Sequence, residues 1–304
     1  MTTSDLLISV VIPAYNYAKT LPRAVQSVLS QLEGASAELL VIDDGSTDAT
    51  PQVLDELLAK YPGRFRSIRK LNGGLASVRN RGIAEALGHY LVFLDADDEM
   101  ASGAIEALST HIAAHPQTRC VIGAHWSISP NGSKSLHVPG KLPESAKERV
   151  RGYLLDKTIA LSNGACAMHR EVFQLGNYPE QFRNSEDIPV FAQILARSPC
   201  TTLEQPLALI HKHDDSLRHN VQHAHAVGLQ LVDEVFSAAR LPVEMHDLRR
   251  EYKAQRCLSL FRTFAAAKEV DMAKYYYREA VNTNWKALLN LSYTWKALRL
   301  WLRG

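Results

Sequence analysis

The chain has 304 residues, which is enough for one large domain or two smaller ones with a substantial core. A hydrophobic content of 46% and a charged content of 22% are ordinary for a globular protein, and a net charge of +2 gives no reason to expect nucleic acid. The four cysteines include no CxxC pair and therefore indicate neither a disulfide framework nor a zinc knuckle. The start lacks the basic residues of a signal peptide, and the apolar run 6–12 is too short to span a bilayer, so we expect a cytoplasmic protein.

The first hundred residues alternate between strand-like and helix-like segments. Short apolar strands separated by amphipathic helices predict a mainly parallel sheet covered by helices on both faces, an α/β fold. The predicted strands are 7–12, 38–42, 64–69 and 90–94, and the predicted helices are 20–32, 50–61 and 75–87.

The pattern changes after residue 100. We predict helices over 102–115, 146–155 and 189–197, and strand-like pieces with a Pro-Asn-Gly turn between 120 and 142. Beyond about residue 219 the pattern is helical with few turns, which predicts one α/β domain over 1–220 and a helical extension over 221–304. Within the tail, 285–304, apolar residues recur at a 3-4-3-4 spacing beside Lys296, Arg299 and Arg303.

Two acidic clusters follow predicted strands directly. The first contains Asp43, Asp44 and Asp48, and the second contains Asp95, Asp97 and Asp98. Carboxylates at strand ends project from the carboxyl edge of a sheet, where open α/β folds bind ligands. Crowded like charges repel each other, so a cation or a hydrogen-bonding ligand is expected to hold them.

Five motifs in a fixed order resemble those of the family 2 glycosyltransferases, which are inverting enzymes with a GT-A fold. The resemblance covers about residues 7–220. The motifs are Val-Ile-Pro-Ala-Tyr-Asn at 11–16, Asp-Asp-Gly-Ser-Thr-Asp at 43–48, Asn-Gly-Gly-Leu-Ala-Ser-Val-Arg-Asn-Arg-Gly at 72–82, Asp-Ala-Asp at 95–97 and Glu-Asp at 186–187. This resemblance implies a Rossmann-like GT-A sheet, followed here by the helical extension.

The resemblance also implies a site for a UDP-sugar. Asp44 would accept from the base, Asp95 would lie near the ribose, and Arg79 would reach nucleotide or phosphate. Mn²⁺ or Mg²⁺ would be held by Asp97 and Asp95, and His213 in the closing loop could complete its coordination. The full set expected to bind the nucleotide-sugar is Pro13, Ala14, Tyr15, Asn16, Asp44, Asn72, Gly73, Arg79, Asp95, Ala96, Ser216 and Arg218.

The late acidic pair is the candidate catalytic centre. An inverting transfer needs one base to deprotonate the acceptor hydroxyl, because the leaving diphosphate is already stabilised. The resemblance assigns this role to Asp187, with Glu186 positioning the acceptor or the sugar. The alternative is an acidic cap at the start of the following helix, and the two roles are compatible.

The sequence therefore predicts a metal-dependent hexosyltransferase that acts on a carbohydrate or lipid-linked glycan acceptor, in lipopolysaccharide, O-antigen or capsule assembly. The alternatives are a nucleotidyltransferase of similar sheet architecture and a non-catalytic sugar-binding homologue. The tail is predicted to touch the inner face of the cytoplasmic membrane, and its rival role is packing on the catalytic domain or on a second subunit. The oligomeric state, the transferred sugar and the linkage stay open.

Overall fold

The computed structural model describes residues 6–212 and 221–302. Within these residues one mixed sheet contains nine strands, in the order β3-β2-β1-β4-β8-β6-β9-β5, with β7 paired to β6. The strands are β1 Ile8–Ala14, β2 Ala37–Asp43, β3 Arg66–Arg69, β4 Tyr90–Phe93, β5 Glu99–Met100, β6 Cys120–Ile128, β7 Lys134–His137, β8 Cys166–His169 and β9 Cys200–His211.

Helices flank this sheet and continue beyond it. The described α-helices are α1 Leu21–Leu29, α2 Thr50–Lys60, α3 Leu75–Glu85, α4 Ala104–Ala114, α5 Ala146–Arg151, α6 Asp187–Arg197, α7 Val221–Val227, α8 Gln230–Val235, α9 Arg249–Ala266, α10 Val270–Thr283 and α11 Leu291–Leu302. Short 3₁₀ helices span Asn163–Ala165, Arg170–Phe173, Val243–Leu248 and Trp285–Leu289, and a wider π-type turn spans Gly152–Asp156.

The alternation predicted for the first hundred residues is confirmed. β1 pairs in parallel with β2 and β4, and β2 pairs in parallel with β3. All seven residues of β1 are buried, as expected for a central strand with helices on both faces. Because β1, β2 and β4 run in the same direction, their carboxyl ends meet at one edge of the sheet, and both acidic clusters follow these ends.

The second half of the sheet was predicted less well. The pattern indicated neither β8 nor the twelve-residue β9, which pairs in parallel with β6. Pro206 and the polar pair Glu204-Gln205 interrupt the apolar pattern of β9, and the ladder with β6 shifts register on both sides of Ala124. An irregular ladder of this kind does not show the two-residue alternation by which a strand is recognised.

Helix α3 lies very close to the sheet because Gly82 has no side chain. A Cβ atom at this position would meet Val11 Cγ1 at 2.8 Å and Phe93 Cε1 at 3.1 Å. Arg79 precedes Gly82 by about one helical turn, so the close contact also carries Arg79 toward the end of β4.

The helical extension shares a core with the sheet domain at first and then forms its own. Val227, Leu231, Phe236 and Tyr252 pack in the same cluster as the sheet residue Phe93. A separate cluster is centred on α9 and α10. It contains Ala224 from α7 and buried residues from Cys257 onward. The domain boundary at residue 220 stays a prediction, although apolar packing crosses it.

The tail does not form one uninterrupted amphipathic helix. It consists of the 3₁₀ turn Trp285–Leu289 and helix α11, which are separated at Asn290. Across residues 6–212 and 221–302, no helix is long and apolar enough to cross a membrane.

Candidate active site

The loops after β1 and β2 are joined by Asn16. Its backbone has a φ of 61°, a conformation that asparagine tolerates better than most residues. Its side-chain oxygen accepts from the Thr47 and Asp48 backbone N–H groups at 2.8 and 3.2 Å, and its own N–H donates to Ser46 Oγ. The predicted segment Pro13 to Asn16 is therefore held against the first acidic cluster, with Tyr15 exposed.

Asp44 organises the glycine-rich loop. Its carboxylate is buried and accepts from the backbone N–H groups of Gly73 and Gly74 at 2.9 and 2.7 Å. Lys70 Nζ lies 2.6 Å from Asp44 Oδ1, and the Asn72 side chain donates to the Asp44 carbonyl oxygen. The predicted residues Asp44, Asn72 and Gly73 thus meet in one place, and both carboxylate oxygens of Asp44 already accept hydrogen bonds.

The sequence interpretation gave Asp43 no role, but one oxygen of its carboxylate can still accept a hydrogen bond. Its Oδ1 accepts from the Ser46 backbone N–H, and its Oδ2 lies 3.2 Å from Arg69 Nε. Oδ2 is buried and has no hydrogen-bond partner among the described residues. Because buried carboxylate oxygens are normally satisfied, this atom is a candidate for receiving a donor from a ligand.

Two cations flank the glycine-rich loop. A Cβ atom at Gly73 would lie 2.9 Å from Lys70 Nζ, and one at Gly74 would lie 2.8 Å from Arg183 Nη1. Gly74 has a φ of +86°, which favours glycine in any case. Sequence reasoning missed Lys70 and Arg183, although Arg183 stands in the polar stretch before the late acidic pair.

The second acidic cluster gathers excess negative charge at the end of β4. Asp95 and Asp97 are half-buried, whereas Asp98 is buried and accepts from the His211 backbone N–H at 2.8 Å. Burial raises the pKa of Asp98 to about 8, and Asp95 and Asp97 add to the rise. Burial and the same carboxylates raise the pKa of the Tyr17 hydroxyl.

Arg79 connects this cluster to the late acidic pair. Its Nη1 donates to Glu186 Oε1 at 2.8 Å, its Nη2 donates to Asp95 Oδ1 at 3.3 Å, and the Tyr178 ring lies 5.3 Å away. The Arg79 side chain is only 4% exposed. Burial alone would lower its pKa, but the surrounding anionic groups, led by Asp95, raise it. Arg79 was expected to reach nucleotide or phosphate, and that role stays a prediction. In the structure its guanidinium lies between the carboxylates of Asp95 and Glu186.

The late acidic pair begins α6 after a strained approach. Asn184 and Ser185 have φ values of 67° and 94°, a region that residues other than glycine rarely adopt. Glu186 is the residue before the helix but makes no side-chain capping hydrogen bond. Burial raises the pKa of both Glu186 and Asp187, while Arg79 lowers both. Capping of α6 therefore does not by itself account for these two carboxylates.

A 3₁₀ turn completes this edge of the sheet. The turn Asn163–Ala165 lies against the end of β4, since a Cβ atom at Gly164 would be 3.5 Å from Leu94 Cδ1. The buried Asn163 accepts from the Tyr178 hydroxyl at 2.6 Å. Ala96 is buried between Asp95 and Asp97. His213, Ser216 and Arg218 lie outside the described residues, which resume at 221.

The donor atoms at the second cluster suit a hard divalent cation. Carboxylate oxygens are the preferred ligands of Mg²⁺ and Mn²⁺, and Mg²⁺ is commonly held by one or two carboxylates together with substrate phosphates. Asp95 and Asp97 fit that description, and the pKa of the neighbouring Asp98 is raised first by burial and then by these two carboxylates. No group of three or more His, Cys, Asp or Glu side chains arranged to hold a metal occurs within residues 6–212 and 221–302.

Comparison with known proteins gives a family match. The family model described as Glycosyl transferase family 2 matches residues 9–176, which end before Glu186 and Asp187. Among curated relatives, a chondroitin synthase of Pasteurella multocida is 30% identical over 195 residues, covering 62% of this chain and 19% of the relative. The chain thus spans about a fifth of that relative's length.

Solved structures share the fold at low identity. TarS of S. aureus in complex with UDP-GlcNAc has a TM-score of 0.69 and 16% identity, over 97% of this chain and 89% of that one. The mannosyltransferase PcManGT of Pyrobaculum calidifontis, in complex with GDP-Man and Mn²⁺, has a TM-score of 0.55 and 17% identity, over 96% and 83%. The predicted GT-A architecture with its C-terminal helices is confirmed.

Proposed function

The chain belongs to glycosyl transferase family 2, and we propose that it is an inverting enzyme that moves a hexose from a UDP-sugar to a hydroxyl of a carbohydrate acceptor. The observation that carries the proposal is the position of Arg79, whose guanidinium binds Asp95 in the second acidic cluster and Glu186 beside Asp187. A carboxylate suited to hold the divalent cation of the donor diphosphate and a carboxylate beside the proposed base therefore bind the same buried guanidinium.

The base of the donor would bind beside the two aspartates that end β2. Uracil carries one N–H donor, and Asp43 Oδ2 is a buried acceptor without a hydrogen bond. Asp44, the residue first predicted to accept from the base, would hold Gly73 and Gly74 so that the loop faces the nucleotide. The backbone of Pro13, Ala14 and Tyr15 would border the same position.

The diphosphate would bind between the glycine-rich loop and the second acidic cluster. Lys70 and Arg183 flank the loop and are suited to bind phosphate oxygens. Mn²⁺ or Mg²⁺, held by Asp97 with Asp95, would neutralise the charge that develops on the departing diphosphate. By the family resemblance alone, His213 would complete the coordination of the cation, and Ser216 and Arg218 would bind phosphate oxygens.

Asp187 would act as the general base. As the acceptor oxygen bonds to the anomeric carbon, the bond from that carbon to the diphosphate oxygen breaks, and the hydroxyl proton passes to Asp187. Glu186, fixed by Arg79, would orient the acceptor or the sugar. The half-buried setting raises the pKa of Asp187, which makes it a better proton acceptor than an exposed aspartate.

The acceptor is proposed to be a growing or lipid-linked glycan. The similarity to a chondroitin synthase supports a role in polysaccharide assembly, for which lipopolysaccharide, O-antigen and capsule are the candidate products. An acceptor of this kind would place the enzyme in the cytoplasm, with peripheral contact at the inner face of the cytoplasmic membrane.

The decisive experiment is a donor screen with and without Mn²⁺. Because a ligand that binds only the folded state stabilises it, by about 2.7 kcal/mol at a hundredfold excess over Kd, the true donor should stand out in thermal unfolding. The panel contains UDP-glucose, UDP-galactose, UDP-GlcNAc and GDP-mannose. Release of UDP and a β-linked product would support the proposal. If no UDP-sugar raised the unfolding temperature, the proposal would be overturned. Release of inorganic diphosphate from a nucleoside triphosphate would identify the rival nucleotidyltransferase.

A further inference from the structure

Helix α11 has two apolar faces, and only one of them packs on the protein. Ala297 is buried, and Tyr293, Leu300 and Trp301 pack against the cluster formed by α9 and α10. The Trp301 and Tyr277 ring centroids are 5.7 Å apart, and the Tyr277 hydroxyl donates to Thr294 Oγ1 at 2.8 Å. This face packs on the helical extension, and it is not the apolar stripe for which packing on the catalytic domain or a second subunit was the rival prediction.

The other face is turned to solvent. Leu291, Trp295, Leu298 and Leu302 have exposed fractions of 67%, 62%, 46% and 86%. Successive helical residues are about 100° apart, so these four side chains lie within about 60° of each other and on nearly the opposite side from Leu300. The preceding turn adds the exposed Trp285, Leu288 and Leu289. We call these seven side chains the tail surface.

The charged residues of the tail itself all have one sign. Residues 280–304 contain Lys286, Lys296, Arg299 and Arg303 and no aspartate or glutamate. Lys286, Lys296 and Arg299 are exposed, and Lys296 and Arg299 lie to one side of the stripe on α11. Large exposed apolar side chains next to unopposed cations, with tryptophans among them, are typical of helices that lie in the interface of an anionic membrane.

We propose that the tail surface is a docking site for an anionic lipid bilayer, in which α11 lies parallel to the membrane plane. A second copy of the chain would fit less well, because a twofold contact places the same patch on both partners and would bring like charges together. Anionic headgroups instead neutralise the cations while the leucines and tryptophans enter the acyl boundary. The proposal goes beyond the glycosyl transfer itself and does not depend on which sugar is moved.

The test uses the full chain and vesicles of phosphatidylcholine with or without phosphatidylglycerol. The wild type should co-sediment with the anionic vesicles much more than with the neutral ones, and high salt should release it, since screening shortens the range of surface charges. Combined L291S, W295S and L298S should weaken binding roughly tenfold or more, because these side chains supply buried apolar area. The matched control, L175S with V243S and Y275S, removes exposed apolar side chains elsewhere and should bind like the wild type.

A second pair of variants tests the charges. K296E with R299E should weaken binding by at least about fivefold for each position, the effect of one basic residue near an anionic surface. K60E with R262E makes the same change of charge at exposed positions outside the tail and should have little effect. Thermal unfolding and UDP binding should be unchanged in every variant, which separates loss of docking from loss of the fold or of the donor site.

Three results would overturn the proposal: no wild-type binding to anionic vesicles, equal binding by the tail variants and their controls, or equal binding to neutral and anionic vesicles. Light scattering addresses the rival occupant. A wild-type dimer that becomes monomeric in the L291S, W295S and L298S variant, without vesicle binding, would assign the tail surface to a second copy. Failure of the donor screen would leave the vesicle result unaffected.

Discussion

Arg79 and Glu186 are 107 residues apart in the chain, and their side chains meet at 2.8 Å in the interior. Arg79 lies on α3 after the glycine-rich loop, whereas Glu186 immediately precedes α6 after two residues with positive φ. The contact links the part of the site proposed for the donor to the part proposed for the acceptor.

Replacing Arg79 should change the pH dependence of transfer. Arg79 lowers the pKa of Glu186 and Asp187 against the effect of burial, so Arg79→Met should raise both pKa values. The acid limb of the kcat/KM profile should move to higher pH by about one unit or more. Arg79→Lys keeps the charge and should move it less. Arg81→Met, which removes an exposed ion pair with Glu85 on the same helix, is the control and should leave the profile in place.

Asp187→Asn should abolish most turnover while donor binding persists. Loss of a general base lowers kcat by about two to four orders of magnitude. Because the base must be ionised, wild-type activity should fall as the pH drops through the folded pKa of Asp187, which burial places above the ordinary value. Asp55→Asn, an exposed carboxylate on α2, is the control. A fall of only a few-fold, or a collapse of UDP affinity, would contradict the assignment.

Asp97→Ala should remove the part of UDP binding that depends on a divalent cation. The half-buried Asp97 follows a strand end and contributes little to packing, so thermal stability without ligand should stay near that of the wild type. Calorimetric titration with UDP, with and without Mn²⁺, measures the effect, and the exposed Glu56→Ala serves as control. Metal-stimulated binding that survives in Asp97→Ala would rule out the role.

Asp43 and Asp44 should respond differently to replacement by asparagine. Asp43→Asn can place an N–H donor where Oδ2 accepts no hydrogen bond, so UDP should bind about 10–100-fold more weakly, the effect of losing a hydrogen bond to a charged group. CDP, whose base has no N–H at the same ring position, should lose less affinity. Asp44→Asn disturbs the bonds to Gly73 and Gly74 and should lower the free energy of unfolding by about 1–3 kcal/mol. Equal effects on UDP and CDP would argue against Asp43 as the group that binds the base.

Gly82→Ala should destabilise the fold and weaken donor binding together. The added methyl group would overlap Val11 and Phe93 and displace α3, at a cost of about 1–3 kcal/mol. The shift would also move Arg79, one turn earlier. Gly140→Ala, at a glycine with no atom within 4 Å of an added Cβ and no positive φ, should be neutral in urea unfolding and UDP titration. A neutral Gly82→Ala would show that α3 can move without consequence.

Much of the first hundred residues could be predicted because their information is local. Apolar runs identify β2 and β4, parallel strands place their carboxyl ends at one edge, and the aspartates at those ends must then gather there. The stop of α3 before Gly88 and the motifs from Asn16 to Asp97 also follow from neighbours in the chain. The α/β fold could therefore be predicted from local patterns, and the resemblance of the motifs to family 2 glycosyltransferases implied the family and its GT-A fold.

What depended on contacts between distant residues could not be predicted. Spacing could not show that Arg79 is buried between Asp95 and Glu186, or that Lys70 and Arg183 flank the same loop, because each of these relations is set by how α3 packs on the sheet.

The tail also shows which information is local and which depends on tertiary packing. Helical periodicity determined that Leu291, Trp295, Leu298 and Leu302 share one face. Only the tertiary structure decided that Ala297 and Trp301, on the other side of the helix, pack on α9 and α10 and leave the leucine face in solvent. Periodicity specifies which residues lie together, whereas the packing of other elements determines which face is covered.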